Sequence, residues 1–192
     1  LNHAPTVASP LADQTVLEDA PFSIEVPANT FTDQDVGDVL TLSASLADGT
    51  ALPSWLTFTA TIATFSGAPD DAQVGTLDLK VTATDRKNMN ISDVFTLTVT
   101  NVNEAPTVAD PLANQQATED AAFSFTVPGS TFADVDQVHG EMLIYSATLA
   151  GGVPLPSWLS FDPITHTFSG TPGNINVGTL AITVMATDQG SL

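Results

Sequence analysis

The chain has 192 residues, enough for one large domain or for two of about 100 residues each with a core of its own. Acidic side chains outnumber basic ones 22 to 3, a formal charge of -19, and with only Lys80, Arg86 and Lys87 to meet phosphates the balance argues against nucleic acid and anionic membrane surfaces as partners. The acids are spread through loop-like segments and 43% of the residues are apolar, which argues against an acidic disordered tail.

Leu1 opens the chain without a Met or a basic, hydrophobic leader, so a fragment of a longer protein is expected. No apolar run approaches the roughly 20 residues that span a bilayer. Cysteine is absent, and the sequon at Asn90, Ile91 and Ser92 is a short pattern that chance readily produces. The first strand is expected from Val7 to Leu17. Phe22, Ile24 and Val26 then alternate with Ser23 and Glu25, and Leu40, Leu42, Ala44 and Leu46 alternate with polar residues. Two short strands follow, near Leu56 to Phe58 and Ile62 to Phe65. Leu77, Leu79, Val81 and Ala83 form a sixth, and Phe95, Leu97 and Val99 a seventh. The period is two throughout, with Pro, Gly, Asn and Asp between runs, and no stretch has helical spacing.

At "NVNEAPTV", residues 101 to 108, the pattern starts again. "NHAPTVASPLADQTVLEDAPFSIEVP" from Asn2 returns from Asn103 as "NEAPTVADPLANQQATEDAAFSFTVP"; "LPSWLTF" returns as "LPSWLSF", "TFSG" as itself, and "VGTLDLKVTATD" as "VGTLAITVMATD". Internal repetition of this kind means two tandem copies of one domain. The expected fold is all-β: two immunoglobulin-like Greek-key β-sandwiches of about seven strands each, over residues 1–101 and 102–192. Leu192 aligns with Met89, so the second copy is expected to lack its last strand, to leave Leu180 to Ala186 with an unpaired edge, and to leave open the groove that Phe95, Leu97 and Val99 fill in the first.

Strands A to G that run alternately down and up put the A-B and E-F loops at one end and the B-C and F-G loops at the other. Glu18, Asp19, Asp70 and Asp71 of copy 1 then point toward copy 2. Asp134, Asp136 and Asp188 of copy 2 point back, with Asn101, Asn103 and Glu104 between them. Carboxylates gathered in this way repel unless a cation neutralises them. Calcium suits an all-oxygen set, because it takes about 6 to 8 oxygens in adaptable geometry. Magnesium demands a stricter octahedron, and zinc prefers His or Cys.

"TDQD", "ADVD", "ATD" and "NVNEAP" resemble the calcium motifs of cadherin repeats, and the fuller pattern "FTDQD...GD.L..SASLADGTALPSWLTF...TATFSGAP" resembles the dystroglycan-type cadherin-like repeats of bacterial surface and secreted proteins. The resemblance covers nearly all of both copies. It implies Glu18 as the A-B loop ligand, Asn101, Asn103 and Glu104 as the linker ligands, Asp134 and Asp136 as the D-x-D pair and Asp188 as the A-x-D residue. The E-F loop lacks the family's D-R-E, leaving Asp70 and Asp71 as approximate substitutes, and Asn101 stands where Asp is common, so one or two ions are expected rather than three. A weaker second site is implied at Asn2, Asp33, Asp35 and Asp85. Asp33 and Asp134 are also good turn residues. Asp38 and Glu141, at matching positions beside a Gly, fit turn chemistry or a marginal ligand, and Asp48 and Asp78 fit solvated surface.

Trp55 and Trp158 either fold over the end of their own sandwich or offer an indole face to a sugar; their repetition favours the first. His3, His139 and His166 lack a nucleophile motif, and no phosphate loop or zinc-protease motif exists, so no enzyme is expected. The expectation is a calcium-stiffened spacer or adhesion module of a larger extracellular or cell-surface protein, its partners the neighbouring repeats of that protein. A carbohydrate-binding accessory module of a polysaccharide-degrading enzyme and a homophilic self-association module are the alternatives.

Overall fold

Alternating apolar and polar residues fold into pleated strands that bury one face, and Pro, Gly and Asp supply the turns between them. In the computed structural model, which describes residues 2–190, the chain divides into two compact units between Val102 and Asn103.

Domain 1 contains β1 (Thr6–Val7), β2 (Gln14–Leu17), β3 (Phe22–Glu25), β4 (Phe31–Thr32), β5 (Thr41–Leu46), β6 (Leu56–Thr59), β7 (Thr64–Gly67), β8 (Gly75–Thr84) and β9 (Asn90–Thr100). One sheet has the order β2-β9-β8-β5, a second β3-β7-β6, and β1 pairs with β4. The run expected as one strand from Val7 to Leu17 is therefore two, serving different partners. Pro10, which has no N–H to donate, lies in the crossing between them. β2 runs parallel to β9, with Gln14 opposite Leu97 and Leu17 opposite Thr100, while β8 runs antiparallel to β9 over its whole length. Val26, Phe31, Leu56, Phe65, Leu79, Val81, Ala83, Phe95 and Leu97 form the buried core, drawn from both sheets. Phe65 meets Phe58 and Phe95 at 4.7 and 5.7 Å between ring centroids.

Domain 2 contains β10 (Thr107–Val108), β11 (Phe123–Thr126), β12 (Phe132–Ala133), β13 (Ile144–Leu149), β14 (Leu159–Asp162), β15 (Thr167–Gly170) and β16 (Ile182–Thr187). The sheets are β11-β15-β14, β13-β16 and β10-β12. The pairings repeat those of domain 1, with Phe125 opposite Phe168 as Ile24 is opposite Phe65. Among the described residues domain 2 has no counterpart of β9, and its core shrinks to Val127, Tyr145, Leu159 and Phe168 with half-buried neighbours.

The only helical pieces among the described residues are short 3-10 turns. Asp19 and Asp120 take left-handed backbone angles (φ 54° and 58°), and each donates its N–H at 2.8 Å to a proline carbonyl, Pro69 or Pro172. Asp tolerates that conformation better than most residues, which accounts for its repetition after Glu at this turn.

Candidate metal centres

At one end of domain 1 the B-C loop between β4 and β5 and the F-G loop between β8 and β9 bring Asp33, Asp38 and Asp85 together, each offering an oxygen within 4.8 Å of the others. The D-x-D spacing builds the first part: Asp33 Oδ1 accepts from the Asp35 N–H at 2.8 Å, which turns the loop, and leaves Asp33 Oδ2 buried with no hydrogen-bond partner. Asp85 is buried and accepts from Asn2 Nδ2 at 2.8 Å, Lys87 N at 2.7 Å and Met89 N at 2.9 Å. Burial works against its ionisation, but the bonds from Asn2, Lys87 and Met89 outweigh it and hold the pKa below the ordinary carboxylate value.

Asp35 is engaged elsewhere. The His3 N–H donates to its Oδ2 at 2.7 Å and His3 Nδ1 lies 2.9 Å from its Oδ1. The backbone bond first and the ring bond second lower its pKa. Arg86 Nε stands 3.6 Å from Asp38 Oδ1. Domain 1 thus brings a histidine and an arginine to its own acids.

The matching end of domain 2 has the same framework. Asp134 Oδ1 accepts from the Asp136 N–H at 3.0 Å, and Asp134 Oδ2 is buried without a hydrogen-bond partner. Asp134, Asp136 and Glu141 offer oxygens within 4.8 Å of one another. The Glu104 N–H donates to Asp136 Oδ2 at 2.8 Å, as His3 does to Asp35, and Asn103 Nδ2 donates to buried Asp188 at 3.1 Å, as Asn2 does to Asp85. Glu141 Oε1 accepts from the Gln189 N–H at 2.7 Å. Residues 103 to 192 contain no Lys or Arg, so no such side chain of this domain can neutralise the cluster.

At the opposite end of domain 1, Glu18 is 1% exposed; its Oε1 accepts from the Val102 N–H at 2.7 Å and its Oε2 is buried with no hydrogen-bond partner. Asp71 offers an oxygen within 4.8 Å of Glu18. Asp19 and Asp70, their chain neighbours, have turn roles. Asp70 caps the 3-10 turn Asp71–Gln73 by accepting from the Ala72 N–H at 2.9 Å, and Asp19 holds the left-handed position. Asn101 is exposed.

Asp38 and Glu141 stand out as cluster members that sequence reasoning left between turn and ligand. Their signal was their repetition, 103 residues apart, each beside a glycine. Asp48 and Asp78 are exposed; Asp48 turns its loop by accepting from Thr50, and Asp78 accepts from Thr96 Oγ1. Trp55 and Trp158 are half buried against their own cores. Trp55 meets Phe22 edge-on at 6.3 Å, and the backbone carbonyls of Trp55 and Trp158 lie over Gly67 and Gly170, where any larger side chain would collide. His166 takes a left-handed turn position and stacks on Tyr145 at 3.8 Å.

The donor set is all oxygen, dense in carboxylates, and includes three buried carboxylate oxygens, on Glu18, Asp33 and Asp134, that lack a hydrogen bond. A buried acceptor without a donor is costly, and a hard divalent cation such as calcium satisfies it. The residues present fit such an ion.

Residues 4–100 and 105–192 each match the family described as "Putative Ig domain" (He_PIG). A "Serine-rich adhesin for platelets" of Staphylococcus aureus (strain MRSA252) is 33% identical over 139 residues, which is 72% of this chain and 9% of the adhesin. The chain therefore spans a small part of that relative's length. Among solved structures, mouse cadherin-23 EC22-24 is 21% identical with a TM-score of 0.64, over 97% of this chain and 59% of that one. A protocadherin gammaB7 EC3-6 structure is 17% identical with a TM-score of 0.63, over 97% and 51%. These likenesses show the fold, a pair of cadherin-like, immunoglobulin-like sandwiches. The chain belongs to the "Putative Ig domain" family, with one member domain in each half.

Proposed function

We propose that this chain is a non-catalytic, calcium-stiffened pair of dystroglycan-type cadherin-like repeats, serving as a spacer and adhesion module of a larger extracellular or cell-surface protein. The observation that carries the reading is the cluster of Asp134, Asp136 and Glu141, with Asp134 Oδ2 buried and unbonded in a domain that has no Lys or Arg. Asp134, Asp136 and Glu141 would hold the ion, with Asn103 orienting Asp188 and Glu104 holding Asp136 from its backbone. At the far end of domain 1, Glu18 is the ligand the cadherin-type pattern implies, and Asp71 beside it stands in for the D-R-E that this chain lacks. Calcium when bound supplies a double positive charge and a shell of about 6 to 8 oxygens. The protein's own part is to gather the carboxylates and to orient them with the backbone and Asn103 donors. The adhesin relative supports placement in a surface protein whose partners are adjoining repeats.

Calorimetric titration of the chelator-treated chain with calcium tests this. Saturable binding, weakened at least about tenfold in Asp134→Asn with both domains still folded, is expected, since each lost carboxylate removes a ligand and a charge. Absence of binding at millimolar calcium, or equal binding by the variant, overturns the proposal.

A further inference from the structure

The edge strands of domain 1 are not alike. β3 carries Glu25, and β6 follows Pro53, whose carbonyl already takes the Leu56 N–H. Charge and proline at a sheet edge discourage another chain from pairing there. β5 has neither: its sequence is TLSASL, it pairs with β8 alone, and its register runs from Thr41 opposite Thr84 to Leu46 opposite Leu79 without a bulge. The Ala47 N–H donates to the Asp78 carbonyl at 2.9 Å, while the Leu46 N–H turns away from β8 to the Thr50 carbonyl, also at 2.9 Å. Bonds along an antiparallel pair alternate, so the backbone groups of Thr41, Ser43 and Ser45 face β8 and those of Leu42 and Ala44 face outward. No other strand among the described residues takes them.

What surrounds this edge suits a second copy of the chain. At a formal charge of -19, two copies repel over most of their surface. The three basic residues, Lys80, Arg86 and Lys87, all lie on β8, the strand next to β5, or in the loop that follows it. Lys80 Nζ donates to the Ala47 carbonyl at 3.2 Å, beside Asp48 at one end of β5, and Arg86 Nε stands 3.6 Å from Asp38 Oδ1 at the other. When two β5 strands run antiparallel about a two-fold axis at Ser43, the Asp48–Lys80 end of each copy meets the Asp38–Arg86 end of the other, so charges of both signs alternate along the seam. The turn Ala60–Ile62 lies beside β5, and Ile62, 62% exposed, offers apolar surface for the second copy to cover. β13 of domain 2, IYSATL, has a similar uncharged edge but no Lys or Arg in its domain.

We infer that β5 of domain 1 is the site at which two copies of this chain associate, strand to strand and antiparallel about a two-fold axis through Ser43, joining their four-stranded sheets into one. Leu42 and Ala44 exchange backbone hydrogen bonds with the partner's Ala44 and Leu42. Such isologous pairing closes at two copies, so the product is a dimer and not a fibre. The association does not depend on cation binding.

The 192-residue chain has no cysteine, so a single introduced thiol reports on the register. In this pairing Ser43 meets the partner's Ser43 as a non-hydrogen-bonded pair, about 4.5 Å between Cα atoms, a separation that a disulfide spans. Thr41 lies opposite the partner's Ser45, which leaves the two copies of Thr41 about 14 Å apart and out of reach. In a glutathione redox buffer containing chelator, Ser43→Cys should form a covalent dimer at least about tenfold faster than Thr41→Cys or Ser146→Cys, its equivalent on β13. An equimolar mixture of Thr41→Cys and Ser45→Cys chains should cross-link to each other, and Ser43→Glu added to both should suppress that link, because like charges then meet at the axis. Should Ser43→Cys fail to fold, the mixture decides the question. No cross-link at position 43, equal rates at 43, 41 and 146, a faster rate at 146, or a mixed cross-link that persists with Ser43→Glu overturns the inference.

Discussion

At the B-C and F-G loops of domain 1, His3 holds Asp35 and Arg86 faces Asp38; at the same loops of domain 2, the place of His3 is taken by Glu104 and that of Arg86 by Gln189. The backbone devices are shared: the Asp side chain that bonds two residues on, the Asn amide on the buried Asp of the F-G loop, and the left-handed Asp at the far turn. What changes is the source of positive charge. One end has Arg86 beside its acids, and the other lies in a domain without Lys or Arg. Two unit charges about 4 Å apart at a protein surface interact by on the order of 4 kcal/mol, so losing the Arg86 charge and gaining the Glu104 carboxylate makes this end of domain 2 the more favourable one for a cation. A D-x-D pair alone does not tell the two apart.

The sharpest way to break this comparison is to exchange the charges. His3→Glu with Arg86→Gln should give domain 1 a calcium response, read as a rise in its melting temperature on adding calcium. At calcium 100 times the dissociation constant, the gain is about 2.7 kcal/mol, on the order of 10 °C or more for a domain of this size. An unchanged melting temperature would mean that the difference between the two ends lies outside these two side chains.

Asn103→Ala is expected to have a smaller effect. It removes the donor to Asp188, which is 1% exposed, and a hydrogen bond to a charged group contributes about 1.5 to 3 kcal/mol. Chemical denaturation should show a loss of that order in domain 2 and none in domain 1. A loss in both domains would indicate that the Asn103 bond is not a property of domain 2 alone.

The smallest effect is on acid stability. Asp35 and Asp85 have folded pKa values below the 3.8 of the unfolded group, so their stabilisation is complete above that pH and is surrendered as pH falls through the lower, folded value. Acid titration of the fold should therefore show proton uptake coupled to loss of domain 1 below pH 3.8. His3→Ala should reduce that coupling in part, since it removes the ring bond, the second influence on Asp35, and keeps the backbone N–H bond, the first. An identical acid transition in the variant would remove His3 from the account of how this end is neutralised.

Period-two alternation located β3, β5, β8 and β9 because each buries one face, and the repeat carried the same reading into domain 2. It missed the break between β1 and β2, since Val7 to Leu17 offers apolar residues on both sides of Pro10 and the two parts bury against different sheets. The short pair of β1 with β4 was equally hidden, being two residues on each strand. In the candidate centres, the end of the domain on which each acid lies followed from strand alternation, but its orientation did not. Glu18 and Asp19 are adjacent, yet one is buried and the other turns the chain through a left-handed angle, a choice made by the Pro69 carbonyl from another loop. Such tertiary partners leave no periodic trace.

The parallel pairing of β2 with β9 has a mechanical consequence. A pull on the two ends of domain 1 drags the start of β2 and the finish of β9 in opposite directions along their common axis. The hydrogen bonds from Gln14–Leu97 to Leu17–Thr100 are then loaded together, in shear, and cannot be opened one at a time like a zip. Rupture under tension is set by the unfolding barrier. Single-molecule stretching should accordingly show domain 1 yielding in one high-force event, and a proline at Val16 that disrupts this short clamp should lower the force markedly while leaving the rest of the sheet in place.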